Sequence, residues 1–341
     1  MKSDTFPEAK TMKHVAFLDV KNLEVIYTQN KRTVRAVNHV SFQLDRGQTL
    51  GLVGETGAGK TTIAKACMGI LPTPPARILN GEIWLDAENI LEIPKEKMLR
   101  IRGKKIAMVF QDPMTALNPL QTIGEQILEV IELHNAVSRH EGLKRAGQML
   151  ELVGIPAARH VEYPHQFSGG MKQRVVIAMA LACDPELLLA DEPTTALDVT
   201  IQAQVLELIK GLREKLNTAM ILITHDLGVV AEICDKVAVI YAGQIIESGS
   251  KEDIFDRPAH PYTIGLFQSL PRLTAAEKWL KPIEGMPPDP TDLPDGCSFH
   301  PRCPYASKEC ALAEPDCIEI GTGHFCRCTK WMEVRTCQMH P

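Results

Sequence analysis

Residues 54–61 read GETGAGKT, and this stretch decides the fold. It fits the pattern G-x-x-x-x-G-K-[ST], and it stands directly after the apolar run Thr49–Val53 and before a predicted helix. Glycines in such a loop let backbone N–H groups turn inward around phosphate oxygens, and the positive end of the helix adds to the attraction. Lys60 would supply charge to the β- and γ-phosphates of a nucleotide, and the Thr61 hydroxyl would bind Mg²⁺. The residues predicted to contact nucleotide here are Gly54, Glu55, Thr56, Gly57, Ala58, Gly59, Lys60, Thr61 and Thr62.

The composition is that of an average globular protein. The chain has 341 residues, of which 45% are apolar and 23% charged, and its net charge is −5. These values exclude a disordered or fibrous chain and give no reason to expect nucleic-acid binding. No stretch approaches the ~18 uninterrupted apolar residues of a membrane span, and the polar N-terminus lacks the core of a signal peptide. We expect a soluble intracellular protein of about two domains.

Other apolar runs predict buried parallel strands, because strands covered on both faces lose the usual alternation. These runs are Ile106–Phe110, Leu187–Ala190 and Met220–Ile223. Like the run before the glycine loop, each ends at or near a polar residue: Gln111, Asp191 and, one residue later, His225. In open α/β sheets, ligands bind beyond the carboxyl ends of the strands. We therefore expect these strands to deliver functional groups to one edge of a sheet.

Two adjacent carboxylates close the run LLLADE at 187–192. Asp191 is predicted to bind Mg²⁺, directly or through water, because this hard cation prefers oxygen ligands. Glu192 is placed to polarise a water for in-line attack on the γ-phosphate. His225 would contact the γ-phosphate or hold that water, although a lone histidine is more often structural. Gln111 is open to a similar alternative, that of a plain amide at a strand end.

A second anion site is predicted at Ser168-Gly169-Gly170, where a hydroxyl and bare N–H groups stand at the start of a helix. Since one phosphate loop already exists, this site would serve a nucleotide held by another copy of the fold. The alternative is an ordinary serine N-cap. Upstream, the segment Asp112–Gln166 has helical spacing from Ile123 to Val153, which predicts a helical insertion between two strands.

The C-terminal part of the chain is chemically different. Of ten cysteines, seven lie between Cys297 and Cys337, after a linker at Lys281–Gly296 that holds five prolines. Without a secretory signal, metal ligation explains such a density better than disulfides. Thiolates suit an iron–sulfur cluster or zinc, and free structural cysteines are the remaining alternative.

Taken in order, these motifs resemble the nucleotide-binding subunit of an ABC transporter over roughly Val15–Asp256. The set comprises the phosphate loop, Gln111, SGG at 168–170, ADE at 190–192, ALD at 196–198 and His225. The resemblance implies an α/β P-loop NTPase (RecA-like) core at 14–256, with a helical subdomain at about 112–167 and with ATP and Mg²⁺ as ligands.

The same resemblance implies particular roles. Gln111 would sense Mg²⁺ and the membrane partner, Ser168–Gly170 would grip ATP across a dimer, and Asp198 would lie in the turn between subunits. Tyr27 would stack on adenine, an assignment that rests on its position alone. The chain departs from the usual family pattern at Met171, where most members have glutamine.

The tail sequence GCSFHPRCP at 296–304, together with HPYT at 260–263, resembles oligopeptide and dipeptide importer ATPases. This implies a C-terminal extension at 257–341 that holds a [4Fe–4S] cluster, with Zn²⁺ as the alternative. The implied ligands are Cys297, Cys303, Cys310 and Cys328, with Cys326 or Cys317 as substitutes for the last.

From this subfamily we expect an ATPase that drives peptide import from the cytoplasmic face of the membrane, as a peripheral subunit. Its expected partners are a related but different ATPase subunit, two transmembrane permease subunits and an external substrate-binding protein, with no nucleic acid. The alternatives are a soluble non-transport ABC ATPase, a redox protein that also binds ATP, and the same importer with nickel or glutathione as cargo.

Overall fold

The computed structural model describes residues 16–30, 32–194, 199–269 and 282–339. Its strands are β1 (Leu18–Gln29), β2 (Arg32–Leu44), β3 (Thr49–Val53), β4 (Ala76–Leu85), β5 (Glu88–Asn89), β6 (Ile106–Val109), β7 (Leu187–Asp191), β8 (Ala219–Ile223), β9 (Lys236–Tyr241), β10 (Gln244–Ser250), β11 (Ile318–Gly321) and β12 (His324–Cys326). Its α-helices are α1 (Lys60–Met68), α2 (Lys95–Ile101), α3 (Pro113–Ala116), α4 (Ile123–His134), α5 (Arg139–Leu152), α6 (Gly169–Leu181), α7 (Val199–Leu216), α8 (Leu227–Ile233), α9 (Lys251–Asp256), α10 (Pro261–Gln268), α11 (Lys308–Leu312) and α12 (Trp331–Met339). Short 3₁₀ turns cover Ala157–Val161, Pro164–Gln166 and His300–Arg302.

The larger sheet has the strand order β11-β12-β10-β9-β3-β8-β7-β6 in the described ranges. From β9 to β6 the neighbouring strands are parallel, whereas β10 runs antiparallel to β9. Every residue of β3, β6, β7 and β8 is buried, as the uninterrupted apolar runs predicted. The second run ends one residue earlier than expected, because Phe110 is already exposed.

This sheet has a hydrophobic core on each face. Leu187 and Leu189 of β7 pack with α1 and with the antiparallel sheet β2-β1-β4-β5. Leu188 and Ala190 of the same strand pack with α6, α7 and α8 on the opposite face. Since successive side chains of a strand point to opposite faces, one apolar run supplies both cores.

Helices α4 and α5 lie within the segment for which helical spacing predicted an insertion. Each begins at a capping hydroxyl: Thr122 accepts a hydrogen bond from the N–H of Glu125, and Ser138 accepts one from that of Glu141. Such caps satisfy N–H groups that have no partner inside the helix. Among the helices of the described ranges, none combines the length and apolar character needed to span a membrane.

The cysteine-rich tail continues the main sheet. Strand β12 pairs with β10, placing Cys326 opposite Glu247, and β11 pairs with β12. The fully buried Glu247 carboxylate accepts hydrogen bonds from the N–H groups of Ala259 and His260 and from Nε2 of His324, at 2.7, 3.0 and 2.9 Å. The tail is therefore joined to the ATPase-like body by strand pairing and by a buried carboxylate, which cysteine content alone does not predict.

Candidate functional site

The phosphate loop is closely packed between two strands. Gly54 and Gly59 have φ values of 151° and 101°, a region that favours glycine. A Cβ on Gly54 would lie 2.1 Å from the carbonyl oxygen of Ile240, and one on Gly59 would lie 2.2 Å from that of Ala36. Glycine is thus required at both positions, because the backbones of β9 and β2 occupy the space that a side chain would need.

Lys60 is buried at the start of α1, and its Nζ reaches back into the loop. The ammonium donates hydrogen bonds to the carbonyl oxygens of Gly54 and Glu55, at 2.7 and 2.9 Å. Burial lowers the pKa of Lys60, whereas the nearby charges of Glu192, Asp191 and Glu55 raise it. The loop therefore holds a buried cation where phosphate oxygens of a nucleotide would bind.

The two residues predicted to bind Mg²⁺ from α1 and β7 are in contact. Thr61 Oγ1 donates a hydrogen bond to Asp191 Oδ1 at 3.1 Å. Asp191 is only 3% exposed, and burial raises its pKa although the Thr61 hydroxyl acts in the opposite direction. A hydroxyl and a carboxylate from different elements thus offer hard oxygen ligands beside the phosphate loop.

Glu192 lies at the point where three strand ends meet. Its Oε2 accepts a hydrogen bond from Gln111 Nε2 at 3.0 Å, and its Oε1 lies 3.5 Å from Nδ1 of His225. The backbone of Glu192 has a φ of 48°, and its N–H donates to the carbonyl oxygen of Ile223 at 2.8 Å. A non-glycine residue in this conformation carries strain, and such strain concentrates at functional sites. The structure therefore brings Gln111, Glu192 and His225 together, as the strand-end argument expected.

The Ser-Gly-Gly motif starts α6 and is open to solvent. Ser168 is the exposed N-cap, and its hydroxyl accepts a hydrogen bond from the N–H of Met171 at 3.4 Å. A Cβ on Gly169 would meet nothing within 4 Å, whereas one on Gly170 would lie 2.5 Å from Cγ2 of Ile201. The motif therefore has a packed inner side and an open outer side.

Tyr27 lies beside the first turn of α1. Its hydroxyl is 3.4 Å from Oγ1 of Thr62, which brings a half-buried ring of β1 to the phosphate loop. Asp198, the residue expected in the inter-subunit turn, lies outside the described residues.

One contact of the phosphate loop was missed by sequence reasoning. The guanidinium of Arg302, from the tail, forms two hydrogen bonds with the carboxylate of Glu55, at 2.9 and 3.1 Å. The Tyr262 hydroxyl also accepts a hydrogen bond from the N–H of Glu55 at 3.0 Å. The sequence around Arg302 does not indicate its partner, because Arg302 and Glu55 are 247 positions apart in the chain.

The cysteines of the tail divide into a group that shares a pocket and others that do not. A cavity of about 210 Å³ is lined by Cys297, Cys303, Cys310 and Cys328, together with Phe299 and His300. Cys317, which is exposed, and Cys326, which is the buried last residue of β12, are not among its lining residues. The pocket thus contains the four cysteines that the resemblance implied as ligands.

The pKa is raised for three of these four thiols and lowered for the fourth. Burial raises the pKa of Cys303 to about 11 and that of Cys328 to about 12, and it also raises the pKa of Cys297. For Cys310, burial is outweighed by hydrogen bonds, first from the Ser307 backbone, and the pKa is lowered. Within the described ranges, no three His, Cys, Asp or Glu side chains are grouped as a metal ion would require.

Two family models match the chain. The model of the ABC transporter family matches residues 37–195, and that of the oligopeptide/dipeptide transporter C-terminal region matches residues 246–310. Similar curated proteins include the oligopeptide transport ATP-binding protein OppD of Bacillus subtilis, 49% identical over 95% of this chain and 89% of its own length. OppD of Escherichia coli is 48% identical, over 93% of this chain and 94% of its own. The dipeptide transport ATP-binding protein DppD of Bacillus subtilis is also 48% identical, with the same coverage.

Solved structures show the same fold. The dimeric ATP-binding cassette MJ0796, in a post-hydrolysis state with ADP and Pi, is 27% identical with a TM-score of 0.62, over 69% of this chain and 98% of that one. The protein cbiO1 of Clostridium perfringens, part of the transporter complex cbiONQ, is 27% identical with a TM-score of 0.61, over 71% and 91%. With these matches and the phosphate loop, the chain belongs to the family of ATPase subunits of oligopeptide and dipeptide ABC transporters.

Proposed function

We propose that the chain binds MgATP at residues 54–62 and hydrolyses it at an interface with a second ATPase subunit, to drive peptide uptake. One observation carries the proposal. Lys60, Asp191 and Glu192 converge beside the phosphate loop, while Ser168 stands exposed on another helix with an open face. One half of a site is thus organised within the chain, and the other half faces outward.

Each residue at the strand ends has a role in this mechanism. The loop N–H groups and Lys60 bind the β- and γ-phosphates, and Thr61 and Asp191 hold Mg²⁺. When bound, the metal neutralises charge on the phosphate oxygens. Glu192 orients the attacking water and accepts a proton from it. At the same time the water oxygen bonds to the γ-phosphorus, and the bond from the γ-phosphorus to the β-phosphate oxygen breaks. Gln111 contacts one oxygen of that carboxylate and His225 contacts the other, and together they hold it in place.

The exposed Ser-Gly-Gly motif supports the proposal of a partner subunit. Ser168–Gly170 would grip a nucleotide bound by the other ATPase subunit, Asp198 would lie in the turn between subunits, and Tyr27 would stack on adenine. We propose a heterodimer with a related subunit, attached to two transmembrane permease subunits and supplied by an external substrate-binding protein. Such a subunit is peripheral, on the cytoplasmic face of the membrane. The ATP-binding body would span 14–256, with its helical subdomain at about 112–167, and the extension would span 257–341.

Peptides are the proposed cargo, because the similar proteins are named for oligopeptide and dipeptide transport. Nickel and glutathione remain the alternatives for this type of importer. A soluble non-transport ATPase is a further alternative, and co-purification with integral membrane subunits separates it from the importer. Uptake of a labelled peptide by cells, lost on deletion of this subunit and restored by it, tests the cargo directly.

For the tail we propose a [4Fe–4S] cluster held by Cys297, Cys303, Cys310 and Cys328. The support is their common pocket, which excludes the substitutes Cys317 and Cys326 from its lining. When bound, a cluster would tie four points of the tail together, and its ligands would bind as thiolates, so that binding releases protons. Zinc held by the same thiolates is the alternative.

The central test of hydrolysis is Glu192→Gln. The amide keeps the size of the side chain but draws on the water proton far less, so turnover should fall by at least ~100-fold while MgATP still binds. In the presence of the second ATPase subunit, a long-lived ATP-bound dimer should then appear by size-exclusion chromatography. Normal turnover by this variant would remove Glu192 from its role.

The cluster is tested by metal analysis of protein purified without oxygen. We expect about four irons per chain and broad visible absorption. Cys328→Ser should lower the iron content, and the matched change Cys317→Ser should leave it unaltered. Stoichiometric zinc without iron would replace the cluster by the zinc alternative.

A further inference from the structure

The tail contacts the phosphate loop through an ion pair in which the arginine is buried and the carboxylate is partly exposed. Nη1 and Nη2 of Arg302 each donate a hydrogen bond to one carboxylate oxygen of Glu55, at 2.9 and 3.1 Å. The Arg302 side chain is 5% exposed and that of Glu55 is 28% exposed. A bidentate pair between a guanidinium and a carboxylate fixes both position and orientation.

Arg302 itself is held from several sides. Its Nε donates to the carbonyl oxygen of Glu284 at 3.0 Å, and Nη1 donates to the Tyr241 hydroxyl at 3.2 Å. The guanidinium carbon also lies 5.8 Å from the centre of the Tyr241 ring. The arginine is therefore a fixed support, and its geometry does not depend on Glu55 alone.

All three polar parts of Glu55 are engaged. Its carboxylate meets Arg302, its N–H donates to the Tyr262 hydroxyl at 3.0 Å, and its carbonyl oxygen accepts from Lys60 Nζ at 2.9 Å. Glu55 is the second residue of the phosphate loop. Holding it on three sides fixes the path of the backbone whose N–H groups would surround phosphate, and positions the carbonyl that contacts the lysine.

We propose that Arg302 is a positioning residue of the nucleotide site: by gripping Glu55 it holds the phosphate loop in its binding shape, so that the tail sets the affinity for ATP. This rests on the proposed function, in which the loop binds MgATP. Arg302 also ends the short turn between Cys297 and Cys303, both of which line the cysteine pocket. A group bound by Cys297 and Cys303 would therefore also fix the position of Arg302. Occupancy of the cysteine pocket is in this way connected to the phosphate loop.

The test is a double-mutant cycle on the full-length purified chain, with the Kd of the non-hydrolysable probe MgAMP-PNP measured by calorimetry. Arg302→Gln and Glu55→Gln should each weaken binding by about 3- to 30-fold, the range of coupling transmitted between linked sites. The double variant should be no weaker than the worse single variant, because both changes remove one interaction. Arg302→Lys should restore part of the affinity, since it keeps the charge but not the two-point grip.

A matched control is available in the same tail. Arg327 donates a hydrogen bond to Glu314 at 3.1 Å, and neither is among the residues shown to contact the phosphate loop. Arg327→Gln should leave the Kd unchanged, which separates a specific effect on the loop from general loosening of the tail. Since Glu55 is partly exposed, Glu55→Gln carries the test should Arg302→Gln fail to fold.

The outcomes are distinguishable. If the unaltered chain binds no MgAMP-PNP, the proposed function fails. If it binds and both single variants bind equally well, only the role of Arg302 fails. Additive losses in the double variant, or an equal loss in Arg327→Gln, would also overturn the inference.

Discussion

The phosphate loop and the Ser-Gly-Gly motif are both glycine-rich segments at helix starts, and both are proposed to bind anions, yet their surroundings differ. A Cβ on Gly54 or Gly59 would strike the backbone of a neighbouring strand, whereas one on Gly169 would meet nothing within 4 Å. Lys60 and Asp191 are buried beside the loop, and Ser168 is exposed. Internal packing therefore shapes the phosphate loop, whereas the Ser-Gly-Gly motif lies at the surface.

This difference indicates which site depends on a partner. The phosphate loop is shaped by its packing against the backbones of β2 and β9, within the chain itself. Such preorganisation favours binding. Under the proposed function, the open Gly169 and the exposed N-cap Ser168 contact nucleotide only when another subunit covers them. Substitutions at the two sites should consequently act on different quantities: stability and nucleotide binding at the first, and assembly-dependent hydrolysis at the second.

The largest effect is expected at the packed site, for Gly59→Ala. Its φ of 101° disfavours any side chain, and the new Cβ would lie 2.2 Å from the Ala36 carbonyl oxygen, which belongs to a strand and cannot move away. The free energy of unfolding in urea should fall by at least about 3 kcal/mol, and nucleotide binding should be lost.

Gly57→Ala is the control for that variant. Gly57 also has a positive φ, 83°, but a Cβ there would meet nothing within 4 Å. Only the conformational cost of about 1–2 kcal/mol should remain. An equal decrease in the free energy of unfolding for the two variants would contradict the view that packing against the Ala36 backbone shapes the loop.

The next effect is expected at the open site, for Gly169→Arg. A long side chain has room there within the chain, so the free energy of unfolding should change by no more than about 0.5 kcal/mol, and single chains should still bind MgATP. Hydrolysis by the assembled ATPase should fall by at least ~100-fold, because the arginine would block contacts with the partner's nucleotide.

Its neighbour supplies the contrast. Gly170→Ala introduces a single methyl group 2.5 Å from Cγ2 of Ile201, and should lower stability by about 1 kcal/mol. A Gly169→Arg variant that hydrolyses ATP normally would remove the intermolecular role of the motif, whatever happens at Gly170.

Much of the site on the sheet edge could be predicted from sequence, because its residues follow apolar runs directly. Parallel strands end at one edge, so Gln111, Asp191 and Glu192 are brought together by strand order alone. The contact between Thr61 and Asp191 follows from the same logic. Helix α4 and helix α5 were foreseen in outline from their spacing, but not the break between them at Ser138, since both flanking sequences are helical in pattern.

The tail was less predictable, for a physical reason. Pairing of β12 with β10 depends on a two-residue register, and the two strands are far apart in the chain. The same holds for the contact of Arg302 with Glu55 and for the burial of Glu247 against His324. Long-range polar contacts of this kind leave no periodic pattern. The density of cysteines indicated only metal ligation in general, and the four that line the pocket were implied by the resemblance to peptide-importer ATPases.

The smallest effect concerns the electrostatic cost of the packed site, and Asp191→Asn measures it. Burial raises the pKa of Asp191, so the folded state holds the proton more tightly than the unfolded chain does. The free energy of unfolding of the unaltered protein should therefore fall as the pH rises from the ordinary pKa of an aspartate to the raised pKa of Asp191. The amide variant has no such group and should not show this part of the decrease. At neutral pH, the melting temperature of Asp191→Asn should be higher by on the order of 1–3 °C, while Mg²⁺-dependent hydrolysis is lost.

Melting curves of both proteins at pH 4 and pH 7 check the sign, since the difference in melting temperature must grow towards pH 7. Ser168 is exposed and carries no charge, so Ser168→Ala should not raise the melting temperature in a pH-dependent way. Such a rise would contradict the distinction between the two sites.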